Sequence, residues 1–353
     1  MSELLLNVDN AKHAGWTHIN VRRSLETIAD SFELSVTNRW KDQVEPRPIV
    51  TGNACNISID SARVITGYVD DVYPNYDARQ HSVGVVGRSK TADLVDCSFF
   101  SGEDFKGKTF DAVAKTVCEP FGIDVVTDTD IGTSFAQTQK MEPGETVFEF
   151  LERLARYRAL RLTSTVDGDL MITRTGTERV ATPLQLGNNI LSASGNFTMR
   201  DRFQEYVVLG QRTGDDESWG NANASASGTV RDDGMTNSRY RPTLIIADGS
   251  ITTDECKRQA EWHRNTRLGR SGGIVYTVQG WHHADGLWKP NTLVPVVDQF
   301  MDIDGDRLIT EVQYILDERG ERTEIQVMQP EGFDLLALPE TSDSSSGWQR
   351  QAA

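Results

Sequence analysis

The chain has 353 residues, of which 38% are hydrophobic and 25% charged, so it folds as a globular protein with room for two or three domains. Its 36 basic and 52 acidic residues leave a formal charge of -16, which opposes the counterion-release binding that dominates affinity for DNA. No apolar run approaches the roughly 20 residues that cross a bilayer. The start Met1-Ser2-Glu3-Leu4-Leu5-Leu6 lacks the basic-then-apolar layout of a secretory signal, and the expectation is synthesis in the cytoplasm. Cys55, Cys97, Cys118 and Cys256 lie far apart, without zinc-ligand spacing, and read as reduced, either small buried residues or idle thiols.

Residues 1–98 read as a first β domain. Phe32, Leu34 and Val36 alternate with polar residues, as do Cys55, Ile57 and Ile59, the period of half-buried strands. Asp60-Ser61-Ala62 supplies a turn, and Val64-Ile65-Thr66 returns toward Tyr68-Val69, which suggests a meander closing into a barrel or sandwich. The β-branched run from His81 through Val86 reaches Gly87, where the strand is expected to leave the sheet.

Residues 99–178 change period and read as a small α+β domain. Phe110, Val113, Ala114, Val117 and Phe121 follow helical spacing after a Thr109 cap, and Pro120 stops that helix. A strand at 123–126 follows. Thr146 and Glu149 form a capping box at the head of a second helix, with Glu149–Arg153 and Glu152–Arg156 as i,i+4 pairs and Val147, Leu151 and Leu154 on its other face. Two strands, 160–163 and 169–172, make a hairpin that turns at Asp167-Gly168.

A second β domain is expected over 179–212 and 273–335, with strands at 197–199, 206–209 and 274–278 and a pairing of 308–316 with 323–328. It is interrupted at 213–272 by a loop and helical insertion. The Gly-, Ser- and Asn-rich stretch 213–234 reads as a mobile loop, and a helix over 253–268 starts at the Thr252/Glu255 capping box and stops at Gly269. The polar, serine-rich end, 336–353, reads as a flexible tail.

Gly102-Glu103-Asp104-Phe105-Lys106-Gly107-Lys108-Thr109 satisfies the phosphate-cradling pattern G-x-x-x-x-G-K-[ST]. A working P-loop leaves a buried parallel strand and is completed by an Asp at the end of another, a part that Leu244-Ile245-Ile246-Ala247-Asp248 could imitate. Here Cys97-Ser98-Phe99-Phe100 is a poor buried strand, Glu103 and Asp104 put negative charge where phosphates would sit, and repeated βαβ alternation is missing. Asp302-Ile303-Asp304-Gly305-Asp306 starts like a calcium loop but has Gln313 where the bidentate Glu belongs, so it reads as a hairpin turn. The adjacent His282 and His283 point to opposite faces of a strand. His13, His18, His81 and His263 lack a metalloprotease context, and no G-x-S-x-G elbow is present. No catalytic, metal or cofactor-binding residue is assigned, and no cofactor or small-molecule substrate is expected.

The segment Gly67-Tyr68-Val69-Asp70 through Gly87-Arg88-Ser89-Lys90-Thr91-Ala92-Asp93-Leu94-Val95-Asp96-Cys97 resembles the baseplate hub, or tail, proteins of Mu-like contractile-tailed phages and prophages. The resemblance continues at Gly144-Glu145-Thr146-Val147, Asp201-Arg202-Phe203-Gln204-Glu205-Tyr206, Arg239-Tyr240-Arg241-Pro242, Asp285-Gly286-Leu287-Trp288-Lys289-Pro290-Asn291 and Pro330-Glu331-Gly332-Phe333. It implies a β-rich α+β fold with two related antiparallel β-barrels, assembled as a homotrimeric ring. Its partners would be the tail tube protein, the central spike protein and other baseplate proteins, with a role similar to the T-even phage hub and the hub portion of type VI secretion spikes. DNA would pass through during ejection without tight binding. The family does not require the Gly107-Lys108-Thr109 triplet. A P-loop enzyme and a tail-associated lysin or carbohydrate-binding spike component are the alternatives.

Overall fold

The computed structural model describes residues 2–8, 11–37, 49–77, 81–99, 102–211, 226–235, 239–250, 252–334 and 336. Its largest element is a 13-stranded sheet. From one edge the order is Ile190–Phe197, Gly272–Gln279, Gly320–Met328, Ile303–Asp317, His18–Ser24, Ser31–Thr37, His81–Ser89, Ala62–Tyr76, Ala54–Ile59, Leu4–Val8 and Ala11–His13. Leu293–Asp298 pairs with Ile303–Asp317 and carries the short strand Leu184–Gln185 off this path.

The two β regions expected to form separate barrels therefore run into one sheet. The seam is Ile303–Asp317 against His18–Ser24, antiparallel, with Glu311 opposite Ser24 and Leu316 opposite Ile19. Among the described residues the hydrogen-bonded path stays open at both ends. Alternation puts Leu4, Leu6, Leu34, Ile57, Val85, Tyr276, Val278, Trp281, Trp288 and Tyr314 into a common core. Buried Tyr314 donates its hydroxyl to the Trp288 carbonyl, and Trp281 Nε1 donates to the Ile315 carbonyl at 3.1 Å, so these large rings bury their apolar surface without orphaning those two polar ends.

Gly87 does not end its strand. Phe32 and Val69 both lie opposite it, and the strand continues to Ser89 before the chain turns at Lys90 and Thr91. The glycine is needed because a Cβ there would overlap the Tyr68 carbonyl and the Phe32 ring. The expected turn at Asp60 is present, with φ at 54°.

Residues 91–174 fold on their own core, with α1 (Ala92–Asp96), α2 (Phe110–Cys118) and α3 (Val147–Arg156) around a three-stranded sheet of Val125–Thr127, Leu170–Thr173 and Arg161–Ser164. The capping box at α3 is complete, since Thr146 Oγ1 accepts from the Glu149 amide at 3.2 Å and Glu149 Oε2 accepts from the Thr146 amide at 2.9 Å. With Glu149 so engaged, Arg153 turns to Glu145 at 2.9 Å in place of the expected Glu149 pair, while Arg156–Glu152 forms at 3.0 Å. The hairpin turn docks on the large sheet, with Thr66 donating to the Val166 carbonyl at 2.9 Å and Arg63 meeting Asp167 at 2.6 Å. On the other side of the junction Ile28 enters the helical core, and buried Asp30 accepts from Arg23 Nε at 3.0 Å and the Ser24 amide at 3.2 Å.

A third core lies under α4 (Thr253–Arg270), which covers one face of a sheet ordered Ala226–Arg231, Glu205–Gln211, Pro242–Ser250. Part of the stretch expected as a mobile loop is thus a strand, 226–231; residues 213–225 lie outside the described residues, as does the expected tail at 337–353. The strand expected at 197–199 is instead Ile190–Phe197, an edge strand of small polar residues that takes its register from Gly272–Gln279. Gly269 does not stop α4 either. The helix runs to Arg270, and Gly269 is buried against Gly332 at a close approach that any Cβ would block.

Candidate assembly interface

The P-loop string folds back on its own domain. Gly102 and Gly107 take positive φ values of 62° and 78°, as a phosphate loop requires, but the amides point elsewhere. Phe105 donates to the Gln139 carbonyl at 2.9 Å, Lys106 to Asp104 Oδ1 at 3.0 Å, Gly107 to the Phe135 carbonyl at 2.8 Å and Lys108 to the Phe105 carbonyl at 3.1 Å. Lys108 Nζ is paired with Glu103 at 2.5 Å and lies over the Phe105 ring. Thr109 occupies the N-cap position of α2, yet its hydroxyl donates to Asp111 Oδ1 at 2.6 Å, where a side-chain cap was expected. That hydrogen bond leads the causes that hold the Asp111 carboxyl below its ordinary range. Residues 244–248 belong to the sheet under α4, on a separate core. A nucleotide would have to displace each of these bonds.

The other motifs resolve into structural contacts. Asp302, at a φ of 56°, turns the hairpin between Leu293–Asp298 and Ile303–Asp317, and Asp306 takes Arg179 Nε on both oxygens at 3.0 and 2.9 Å. His282 faces Asp60 at 3.4 Å, whereas His283 packs on Trp288 and accepts the Asp285 amide at 3.2 Å, so the two do share no site. Cys55, Cys118 and Cys256 are buried, and burial pushes the Cys55 and Cys118 thiols up to about 12; Cys97 is exposed. The arginines grouped in sequence at 153–161 disperse: beyond the two glutamate pairs, Arg158 lies over Phe135 and Arg161 over Phe333. They form no basic stripe.

What stands unpartnered is apolar. The edge strand Ile190–Phe197 exposes Leu191 and Phe197, and the adjoining segments expose Leu186, Met199, Val297 and Phe300, the last at 84%. These side chains belong together: Leu186 donates its amide to the Val297 carbonyl, and a Cβ on Gly195 would touch both Phe197 and Met301. A second such face lies on the sheet under α4, where Leu244 and Ile246 pair with Val207 and Leu209 on the side away from the helix. Sequence reading missed both. A phenylalanine inside the Asp298–Asp302 turn, where polar residues are usual, is the signal that marks the first.

Residues 3–89 match the family described as Mu phage baseplate assembly protein GpP-like, N-terminal; residues 91–174 match baseplate hub protein gp44-like, second domain; and residues 252–336 match Mu phage baseplate assembly protein GpP, fourth domain. Over 339 residues the chain is 32% identical to the baseplate hub protein gp44 of Escherichia phage Mu, covering 93% of this chain and 88% of that one. The chain belongs to the Mu-like baseplate hub family.

The fold agrees with membership of that family. The crystal structure of the 43 kDa tail protein of prophage MuSo2 from Shewanella oneidensis superposes with a TM-score of 0.84 at 37% identity, covering 94% of this chain and all of that one (100%). The fold extends to the E. coli c3393 protein, a type VI secretion component, at a TM-score of 0.56 and 13% identity, over 95% of this chain and 80% of that one. For a Mu-like hub the relevant surfaces are those that meet other proteins. No helix among the described residues is long and apolar enough to cross a membrane.

Proposed function

We propose that the chain is a structural subunit which assembles with two further copies into a homotrimeric ring, joins the tail tube protein to the central spike protein within the baseplate, and leaves a channel for DNA during ejection. In this reading the two β regions act as related, barrel-like lobes, bounded at 1–98 and at 179–212 with 273–335, except that Glu205–Gln211 pairs within the sheet under α4. The 99–178 unit and the 213–272 insertion decorate them. The protein is made in the bacterial host cytoplasm and carried in the virion tail. It is not an enzyme.

One observation carries the proposal: a sheet edge, unpaired among the described residues, that exposes Leu191 and Phe197 beside exposed Val297 and Phe300. Such an edge invites association, and a closed ring covers every copy of it at once. Leu191→Asp and Phe300→Asp alter exposed side chains and should leave each subunit folded while shifting it to monomer in sedimentation. Trimers that persist in both variants would place the interface elsewhere.

Charge supports the conduit. A ring of three multiplies the formal -16, and like-charge repulsion keeps DNA from adhering to the wall. Filter binding of duplex DNA at about 0.15 M salt should show no submicromolar retention; tight, salt-sensitive retention would show a basic lining.

A further inference from the structure

Between α4 and the turn at 198–202 lies a hollow of about 400 Å³, lined by Thr198, Asp201, Arg202, Trp262, His263, Thr266, Arg267, Arg270 and Ser271. In a chain of charge -16 it gathers three guanidinium groups against one carboxylate. It also holds two polar atoms, the Trp262 indole nitrogen and the Thr266 hydroxyl, that have almost no solvent access and make no hydrogen bond among the described residues. An orphaned buried donor costs about 1–3 kcal/mol, so a small rotation that brought either one to an acceptor in the hollow would be favourable.

The guanidinium groups are unequally committed. Arg202 is held bidentate by Asp232, at 2.5 and 2.8 Å. Arg267 lies over the Phe203 and Tyr206 rings and gives one bond to the Asp201 carbonyl at 3.2 Å. Arg270 has a single long contact, 3.7 Å to Glu26, and a side chain 63% exposed. Arg267 and Arg270 thus keep donors for an incoming anion. Neutral donors beside guanidinium forks suit a planar carboxylate. The hollow admits one or two side chains but no duplex.

We propose that this hollow is an oxyanion pocket that receives a carboxylate from an acidic peptide segment of a partner protein. Thr198 directly follows the edge strand and its amide bonds the Ser271 carbonyl at 2.8 Å, which fixes this wall of the pocket to the end of α4. Burial and Arg267 hold the titration of His263 down to about 4, so it adds no positive charge to the pocket at neutral pH. The assignment stands on the pocket's own residues and is independent of the trimer.

The test uses the full chain labelled with nitrogen-15 in its 7 tryptophans, with the Trp262 indole signal identified by Trp262→Phe. A glutamate–aspartate hexapeptide, inorganic phosphate and duplex DNA are titrated separately at low salt. The peptide should shift the Trp262 signal, the shift should weaken at least tenfold in Arg270→Ala and in Thr266→Val, and it should fade with added salt. No shift with any probe, or an equal shift in both variants, would overturn the pocket. A response to phosphate or DNA at lower concentration than to the peptide would overturn the acidic-peptide assignment.

Discussion

Replacing Gly269 by alanine gives opposite results depending on what the glycine is for. Inside an exposed helix, Gly→Ala stabilises by about 1 kcal/mol, because alanine restricts the unfolded chain and has the higher helix propensity. Gly269, however, lies in α4 where a Cβ would overlap the Cα and amide nitrogen of Gly332, backbone atoms that cannot rotate aside. Overpacking of that kind costs about 1–3 kcal/mol, and with backbone on both sides the upper end applies. The net expectation is a loss of about 2 kcal/mol, or about 4–8 °C in melting temperature if the cooperative unit is some 150–250 residues. Urea unfolding followed by circular dichroism should show a lower midpoint at unchanged slope. Gly332→Ala should fall in the same direction, since its Cβ would strike Gly269. A rise in stability for Gly269→Ala would refute the contact and return Gly269 to a simple helix-end role.

Lys108→Ala removes an exposed pair with Glu103 and should change stability by less than about 1 kcal/mol, with no calorimetric ATP binding in either protein; micromolar ATP binding lost in the variant would overturn the structural role of the loop. His263 titrates near 4 in the folded chain, pushed down by burial and Arg267, against about 6.5 unfolded, so its contribution is full above pH 6.5 and is lost as pH falls from 6.5 toward 4. Solvent screening of the partly exposed ring keeps the effect below the full value of about 3 kcal/mol, and His263→Gln should flatten the pH profile of stability across that window; an unchanged profile would contradict the burial.

Local signals were legible where short-range chemistry decides structure. Both capping boxes, the Asp60 and Gly168 turns and the pairing of 308–316 with 323–328 stand where residue type and spacing put them. Long-range placement was not. The seam between Ile303–Asp317 and His18–Ser24 joins residues nearly 300 apart, and no periodicity encodes such a pairing. Gly87 and Gly269 read as ends of elements because sequence shows a missing side chain but not the neighbour that fills its place. The strand Ile190–Phe197 escaped because Ser192, Ser194, Gly195 and Asn196 lack strand propensity and follow their partner's register. The exposed apolar edge and the arginine-lined hollow depend on which side chains stay uncovered after folding, so neither appears in the linear pattern.

The central claim is that this hub-family chain works as a closed ring of three. Sedimentation equilibrium of the intact chain at micromolar concentration tests it most directly. The account predicts three chain masses, falling to one in Leu191→Asp; a strictly monomeric wild-type particle under the same conditions would contradict it.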